Sequence, residues 1–476
     1  MTRTIKSAAV IGAGTMGAAI AALLANVGLS VLLLDVIPQQ LTTEEEAGGL
    51  TLADAAVRNR LARAGFERAC RAKPAAFADH AAEQRVTIGN VEDNLAQLAE
   101  VDWIIEAIIE QLPPKQALMA QIETVRRSDS YVTSNSSGLP MAAITEGRSL
   151  DFKQHFLGTH FFNPPRYLKL LEVIPTADTD ADVTQTVAQF AESTLQKGIV
   201  YCRDTPNFIG NRLYSFNYSF VVGHALEHGY TIAEVDAVTG PLLGRPKTAT
   251  FRLLDLIGID IVTHMTRNLA ALIPTDPYGI ILQDTKLNRL FDELLQRRWL
   301  GNKSGQGFYK KDPNTGDRLC LMLQSESLTY SPPEEPVFAA VEAAQAIDDL
   351  GQRVALLLSD EWRHDRGAQL VRALLSFELA YAASCAPDIA YSLKSIDDTM
   401  RWGFAHQAGP FELWERLGVA KTVEMIEAQD IPVAFWVHQM LAAGIEHFYQ
   451  KEGDQIIASY DCEIKAYRSL AELKLA

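Results

Sequence analysis

The sequence predicts an α/β domain at the N-terminus followed by two related all-α units. Three observations carry this. Up to about residue 203, short apolar strand-like runs alternate with helical stretches, the pattern of a mostly parallel sheet covered on both faces. From Ile209 onward the periodicity is helical and the alternation stops. The helical part then repeats itself: Val235-Asp236 is followed by a run ending at Gly258, and Ile396-Asp397 by a run ending at Gly418. The prolines at 313, 332, 333 and 336 break the pattern between the copies. The expected domains are 1–203, with a helical arm at about 40–85; 204–312, the first helical unit; 313–336, a linker; and 337–476, a degenerate repeat of the first unit.

Composition fits a folded chain of several domains. Of 476 residues, 48% are hydrophobic and 21% charged, which excludes a disordered or fibrous protein. The formal charge of −16 argues against a general nucleic-acid binder. The five scattered cysteines contain no C-x-x-C, so neither a disulfide framework nor a metal site is read, and a reducing, cytoplasmic compartment fits. Residues 7–34 carry no charge until Asp35 and imitate a membrane span. Gly12, Gly14, Gly17 and Gly28 punctuate the run and divide it into strand, turn, helix and strand, so no membrane span is read.

That division is the most informative local feature. Residues 7–11 are strand-like, Gly12-Ala13-Gly14-Thr15-Met16-Gly17 turns the chain, 18–27 is helical, and 31–34 is a strand ending at Asp35. A G-x-G-x-x-G in this setting is the Rossmann-type dinucleotide fingerprint. Gly12 permits the tight turn, Gly14 admits a pyrophosphate, and Gly17 lets the helix pack on the strand. Thr15 and Met16 open the helix whose free N–H groups and dipole meet the phosphates. Asp35 accepts from a ribose diol and repels a 2′-phosphate, so the cofactor read is NAD. The plainer reading is three packing glycines and a surface Asp; four positions fitting one geometry weigh against it.

A helical stretch follows at 51–73. Between 58 and 73, Arg58, Arg60, Arg63, Arg68, Arg71 and Lys73 face only one acid, Glu67. It reads equally as a phosphate-attracting arm over a substrate or as a solvated face. Alternation resumes with strands expected at 86–89, 103–109, 131–134, 155–162, 168–174 and 199–202, and helices at 93–99, 115–126 and 182–196.

The chain resembles the 3-hydroxyacyl-CoA dehydrogenases of fatty-acid β-oxidation. The resemblance rests on Gly12 to Gly17, Ile105-Glu106-Ala107-Ile108-Ile109-Glu110 with Lys115, Ser134-Asn135-Ser136-Ser137, Gly158-Thr159-His160-Phe161-Phe162-Asn163-Pro164, Leu171-Glu172-Val173, Asp204 to Arg212, and Gly301 to Tyr309. It implies NAD-dependent oxidation of (S)-3-hydroxyacyl-CoA to 3-oxoacyl-CoA. It assigns His160 as base, Glu172 as its partner, and Ser137 and Asn211 as donors to the substrate oxygen. Glu110, Lys115, Asn135 and Asn163 match positions lining the cofactor and substrate cleft, and Arg58, Arg63 and Arg68 would serve the CoA.

Elementary chemistry agrees. Oxidising a secondary alcohol needs a base for the hydroxyl proton, and imidazole is the fittest near neutral pH. Glu172 follows His160 by 12 residues on the next strand-like segment. If the two segments pair, its carboxylate can fix the ring tautomer, as the acid of a Ser-His-Asp triad does. Singly, each residue has a plainer reading: His160 a core residue, Glu172 a surface strand residue, Ser137 a helix cap, Asn211 a helix start, Lys115 a surface lysine. Two departures stand out. Asn207 occupies a position where the family usually has Gly, and Gly138 one where Ser or Thr is more familiar.

Longer relatives continue into an enoyl-CoA hydratase domain, whereas this sequence stops at Ala476. It reads as a shortened form or as a dehydrogenase working with separate hydratase and thiolase partners. The duplication favours a pseudo-dimeric monomer over the homodimer common in relatives. Two other functions stay open: a dehydrogenase of a free 3-hydroxy acid, and a non-catalytic NAD-binding structural protein.

Overall fold

The computed structural model describes residues 4–325 and 327–473. The chain forms two compact units, one ending at Phe208 and the other beginning at Ile209.

The first unit is built on eight strands: β1 (Ser7–Ile11), β2 (Ser30–Asp35), β3 (Val86–Asn90), β4 (Trp103–Glu106), β5 (Tyr131–Ser134), β6 (Phe156–Phe161), β7 (Leu170–Pro175) and β8 (Gly198–Tyr201). Their order is β3-β2-β1-β4-β5-β6-β7-β8. Every neighbouring pair is parallel except β6 with β7. Strands β4, β5 and β6 are buried along their whole length, as central strands of a sheet covered on both faces are. The order reverses between β1 and β4, and the carboxyl ends at such a switch point are where α/β sheets bind ligands.

Polar groups inside this sheet find partners. The Trp103 indole Nε1–H donates to Thr133 Oγ1 at 3.0 Å, and Thr159 Oγ1 donates to the same oxygen at 2.8 Å. Three expected elements come out differently. The 103–109 strand stops at Glu106, because the Ile108 N–H turns back onto the Glu106 carboxylate at 2.7 Å. The 93–99 helix is a 3₁₀ turn, Leu95–Glu100. The arm divides at Asn59 into helices Ala55–Arg58 and Arg60–Cys70.

Helices dominate the second unit, and two stretches of it are built alike. In the first, Asp236 accepts from the N–H groups of Thr250 and Phe251 at 3.1 and 2.8 Å, capping helix Phe251–Ile257. In the second, Asp397 accepts from Phe411 and Glu412, both at 2.9 Å, at the start of helix Pro410–Leu417. Each Asp also accepts a phenol, from Tyr309 at 2.6 Å and from Tyr449 at 2.5 Å. Gly258 and Gly418 end the two capped helices at φ +110° and +88°. Rings repeat the scheme, with Phe251 4.8 Å from Phe308 and Phe411 5.1 Å from Phe448.

The long helices Gly210–His228 and Arg366–Ile389 pair through Phe216–Tyr381 at 3.9 Å and Phe220–Phe377 at 4.2 Å. Shifting 216 and 220 by the 161 residues that separate Asp236 from Asp397 gives 377 and 381, so each contact maps onto the other. That reciprocity is the signature of a two-fold, self-complementary interface.

The expectation of purely helical units needs amending. β9 (Tyr309–Lys311), at the end of the expected first helical unit, pairs with β10 (Arg318–Leu321) and β11 (Tyr330–Ser331), in the stretch read as linker, as an antiparallel sheet. β12 (Tyr449–Glu452), β13 (Gln455–Asp461) and β14 (Ala466–Ser469) form another. Each sheet begins at the tyrosine that its buried aspartate anchors, a long-range bond that local periodicity does not reveal. Among the described residues, no helix is long and apolar enough to cross a membrane.

Candidate active site

The glycine turn has the geometry its residues imply. Gly12 sits at φ +103°, and a Cβ there would lie 2.4 Å from the Ala107 carbonyl oxygen. A Cβ on Gly17 would fall 1.8 Å from the Gly12 oxygen, so only glycine lets helix Thr15–Asn26 start so close to β1. Gly14 is different: open space surrounds its missing side chain. It precedes a helix that no side chain caps, leaving the N–H groups at Thr15 and Met16 to a ligand. Asp35, half-buried at the end of β2, accepts from Ala13 N–H and Val36 N–H, each at 2.7 Å. Each of its oxygens keeps a second lone pair for a ribose hydroxyl. These residues fit a dinucleotide.

The arm helix Arg60–Cys70 lies against this turn, because Gly65 would place a Cβ 2.0 Å from the Ala13 oxygen. A cavity of about 640 Å³ opens beside it, lined by Thr15, Arg68, Arg71, Lys73, Asn163 and Arg166 among others. Not all of the arm's charge is available. Arg58 is engaged bidentately by Asp93 at 2.7 and 2.6 Å and does not fit the CoA role expected of it. Arg60 pairs with Glu45 and Arg71 with Glu67. Arg63 and Arg68 are exposed and have no ion pair among the described residues. Glu45 and Asp93, which lie outside the stretch and are invisible to a local charge count, neutralise two of these arginines.

Around β4 and β5 lies a buried polar cluster. Lys115 is 1% exposed, and its Nζ bonds Glu106 Oε1 at 2.7 Å with Glu110 Oε2 at 3.4 Å. It underlies the cleft instead of lining it. Ser134 Oγ donates to the other Glu106 oxygen at 2.5 Å. Glu110 Oε1 accepts from Ser136 Oγ at 2.6 Å, Ser137 N–H at 2.9 Å and Gly138 N–H at 2.7 Å. Burial raises the pKa of this carboxyl, but Lys115 and these donors outweigh it and hold Glu110 below the usual range. Glu106, Ser134 and Ser136 received no role from the sequence; their signal was the polar spacing Glu106–Glu110–Lys115 at the end of an apolar strand.

His160 and Glu172 face each other across the antiparallel β6–β7 pair. His160 Nδ1 and Glu172 Oε2 are 2.6 Å apart, with the residues 5% and 0% exposed. A carboxylate only accepts, so Nδ1 carries a proton, and in the neutral ring the lone pair is therefore on Nε2. Phe162 and Phe208 flank the imidazole at 4.5 and 5.8 Å between ring centres. Asn135 Oδ1 accepts from Phe161 N–H at 2.9 Å and ties the Ser137 loop to the His160 strand. Asn163 is exposed at the cavity wall, and Asn211 lies at the start of helix Gly210–His228 in the second unit. No group of three His, Cys, Asp or Glu among the described residues could hold a metal ion.

Comparison with known proteins gives a consistent result. Residues 7–205 match the family model described as "3-hydroxyacyl-CoA dehydrogenase, NAD binding domain", and 208–311 the corresponding C-terminal domain. A probable 3-hydroxyacyl-CoA dehydrogenase of Bacillus subtilis is 41% identical over 457 residues, which is 96% of this chain and 56% of that one. The chain thus spans little more than half of that relative. A probable 3-hydroxyacyl-CoA dehydrogenase of Deinococcus radiodurans is 48% identical over 307 residues, 64% of this chain and 83% of that protein. Among solved structures, M. tuberculosis FadB2 is 27% identical, covers 65% of this chain and 100% of its own, and has a TM-score of 0.51. The 3-hydroxybutyryl-CoA dehydrogenase of Escherichia coli shares the fold at a TM-score of 0.64, with 23% identity over 93% of this chain and 100% of its own. The cofactor is NAD, and the chain belongs to the 3-hydroxyacyl-CoA dehydrogenase family.

Proposed function

We propose that this protein oxidises (S)-3-hydroxyacyl-CoA to 3-oxoacyl-CoA with NAD, in fatty-acid β-oxidation. The observation that carries the reading is the 2.6 Å contact between His160 Nδ1 and Glu172, which leaves Nε2 as a base. Gly14, the N–H groups of the following helix and Asp35 would hold the cofactor. NAD, when bound, supplies the hydride acceptor. His160 Nε2 takes the hydroxyl proton as the C3–H bond gives up its hydride and the C3–O bond becomes a carbonyl. Glu172 stabilises the imidazolium that results. Ser137 holds the C3 oxygen, with Asn211 the second donor that the resemblance implies. Glu110 fixes the loop that presents Ser137. The unpaired Arg63 and Arg68, the latter at the cavity wall, attract the CoA phosphates.

The protein works in the cytoplasm with enoyl-CoA hydratase and thiolase as functional partners, and the internal duplication favours a pseudo-dimeric monomer over a homodimer. Light scattering on a size-exclusion column checks the monomer. An NADH-absorbance assay with 3-oxoacyl-CoAs of several chain lengths tests the activity. NADH consumption with one or more of them is expected; tight NADH binding without turnover on any would eliminate the reading.

A further inference from the structure

Asn207 and Gly138 are the two family departures, and the Asn207 side chain lies against Gly138. Asn207 is 1% exposed and stands at φ +63°, a left-handed conformation that Asn tolerates better than most residues. Its Oδ1 lies 2.8 Å from where a Cβ on Gly138 would be, and Glu110 Oε1 lies 3.6 Å from the same point. The Asn207 amide therefore fills the space that a residue-138 side chain would take. Its Nδ2 is buried without a partner among the described residues. Thr205 Oγ1, two residues earlier, is likewise unpartnered, so the two do not satisfy each other. A buried donor left in this state is costly, and functional sites are where such groups await a ligand.

The surroundings narrow the ligand. Next along the chain, Phe208 packs on the His160 ring at 5.8 Å. Glu110 stands nearby as a carboxylate, which disfavours an anion at this spot. We propose that Asn207 is a specificity-determining residue that donates Nδ2–H to a neutral carbonyl oxygen of a bound ligand. The carbonyl belongs to the carboxamide of the cofactor or to the acyl group of the substrate; this step rests on the acyl-CoA reading above. Gly138 and Asn207 are a matched pair, since the amide occupies its position only while residue 138 lacks a side chain.

Calorimetric titration of the whole chain with NADH and with acetoacetyl-CoA tests this without requiring turnover. Asn207→Gly suits the local φ and retains the fold, which its melting temperature verifies. Weakening of about three- to tenfold for one ligand is expected, and the affected ligand identifies the carbonyl. Both constants within twofold of the parent would overturn the donor role and leave Nδ2 to water. Gly138→Ser alone is expected to lower the melting temperature, and Asn207→Gly in the same chain to restore it. An unaltered melting temperature in Gly138→Ser would overturn the shared space. A parent protein that binds NADH but not acetoacetyl-CoA would defeat the acyl-CoA reading, and the NADH titration would still decide Asn207.

Discussion

Two buried acid–base pairs lie in the first unit, and they differ in what is left over. Lys115 meets Glu106 at 2.7 Å, His160 meets Glu172 at 2.6 Å, and all four side chains are nearly or wholly inaccessible. An ammonium has only donors, and Lys115 turns its donors to Glu106, Glu110 and the Ile108 carbonyl. An imidazole with Nδ1 bound to a carboxylate still has a lone pair on Nε2. Burial of charge is common to both and distinguishes neither. The spare lone pair makes one pair chemical, and its absence makes the other a fixture that sets the Glu110 loop.

The sharpest way to break this comparison is to remove the base. His160→Gln is expected to lower turnover by about 10²–10⁴-fold while NADH affinity, read by fluorescence, stays near the parent's. Near-normal turnover would remove His160 from the chemistry. Lys115→Met should fail in the opposite manner. It strands Glu106 as a buried charge and should cost about 3–5 kcal/mol of stability, measured by urea denaturation. The folded fraction should keep far more activity than His160→Gln does. Equal stability of Lys115→Met and the parent would show that the pair positions nothing.

The same distinction between spent and spare groups governs what was legible in the sequence. The glycine turn was readable because much of what fixes it is local: Gly17 packs on Gly12 and Asp35 accepts from Ala13 within one βαβ unit, although Gly12 is also crowded by the distant Ala107. His160 and Glu172 were readable because strands in register bring residues 12 apart face to face. Lys115, which the resemblance puts at the cleft, is buried beneath it, and this was not legible because its main partner Glu106 lies at the end of a separate strand. The arm's positive charge was overcounted because Asp93, which neutralises Arg58, is 35 residues away. The small sheets starting at Tyr309 and Tyr449 escaped notice for a related reason. The buried aspartates that seat them lie 73 and 52 residues earlier.

A smaller effect separates paired from unpaired arginines. Arg68→Ala should raise KM for acetoacetyl-CoA about three- to tenfold at low salt, with the difference shrinking as salt is added. Arg58→Ala should leave KM within twofold, because its guanidinium already belongs to Asp93. Equal effects from both would mean that the arm acts through its overall field, with no part for individual free charges.

The smallest effect concerns Asp35, which is half spent. One lone pair on each oxygen holds the backbone at Ala13 and Val36, and the others remain for the ribose. Asp35→Asn keeps an acceptor for the ribose but loses the charge, so NAD should weaken only about two- to threefold while discrimination against NADP relaxes. Asp35→Ala also frees the Ala13 N–H and should weaken both cofactors, because the glycine turn loses its anchor. Comparing KM for NADH and NADPH in the two variants separates repulsion of the 2′-phosphate from support of the turn. If Asp35→Asn kept the parent's full preference for NADH, charge would play no part in that preference, and the residue would belong with Lys115 among the groups that only position others.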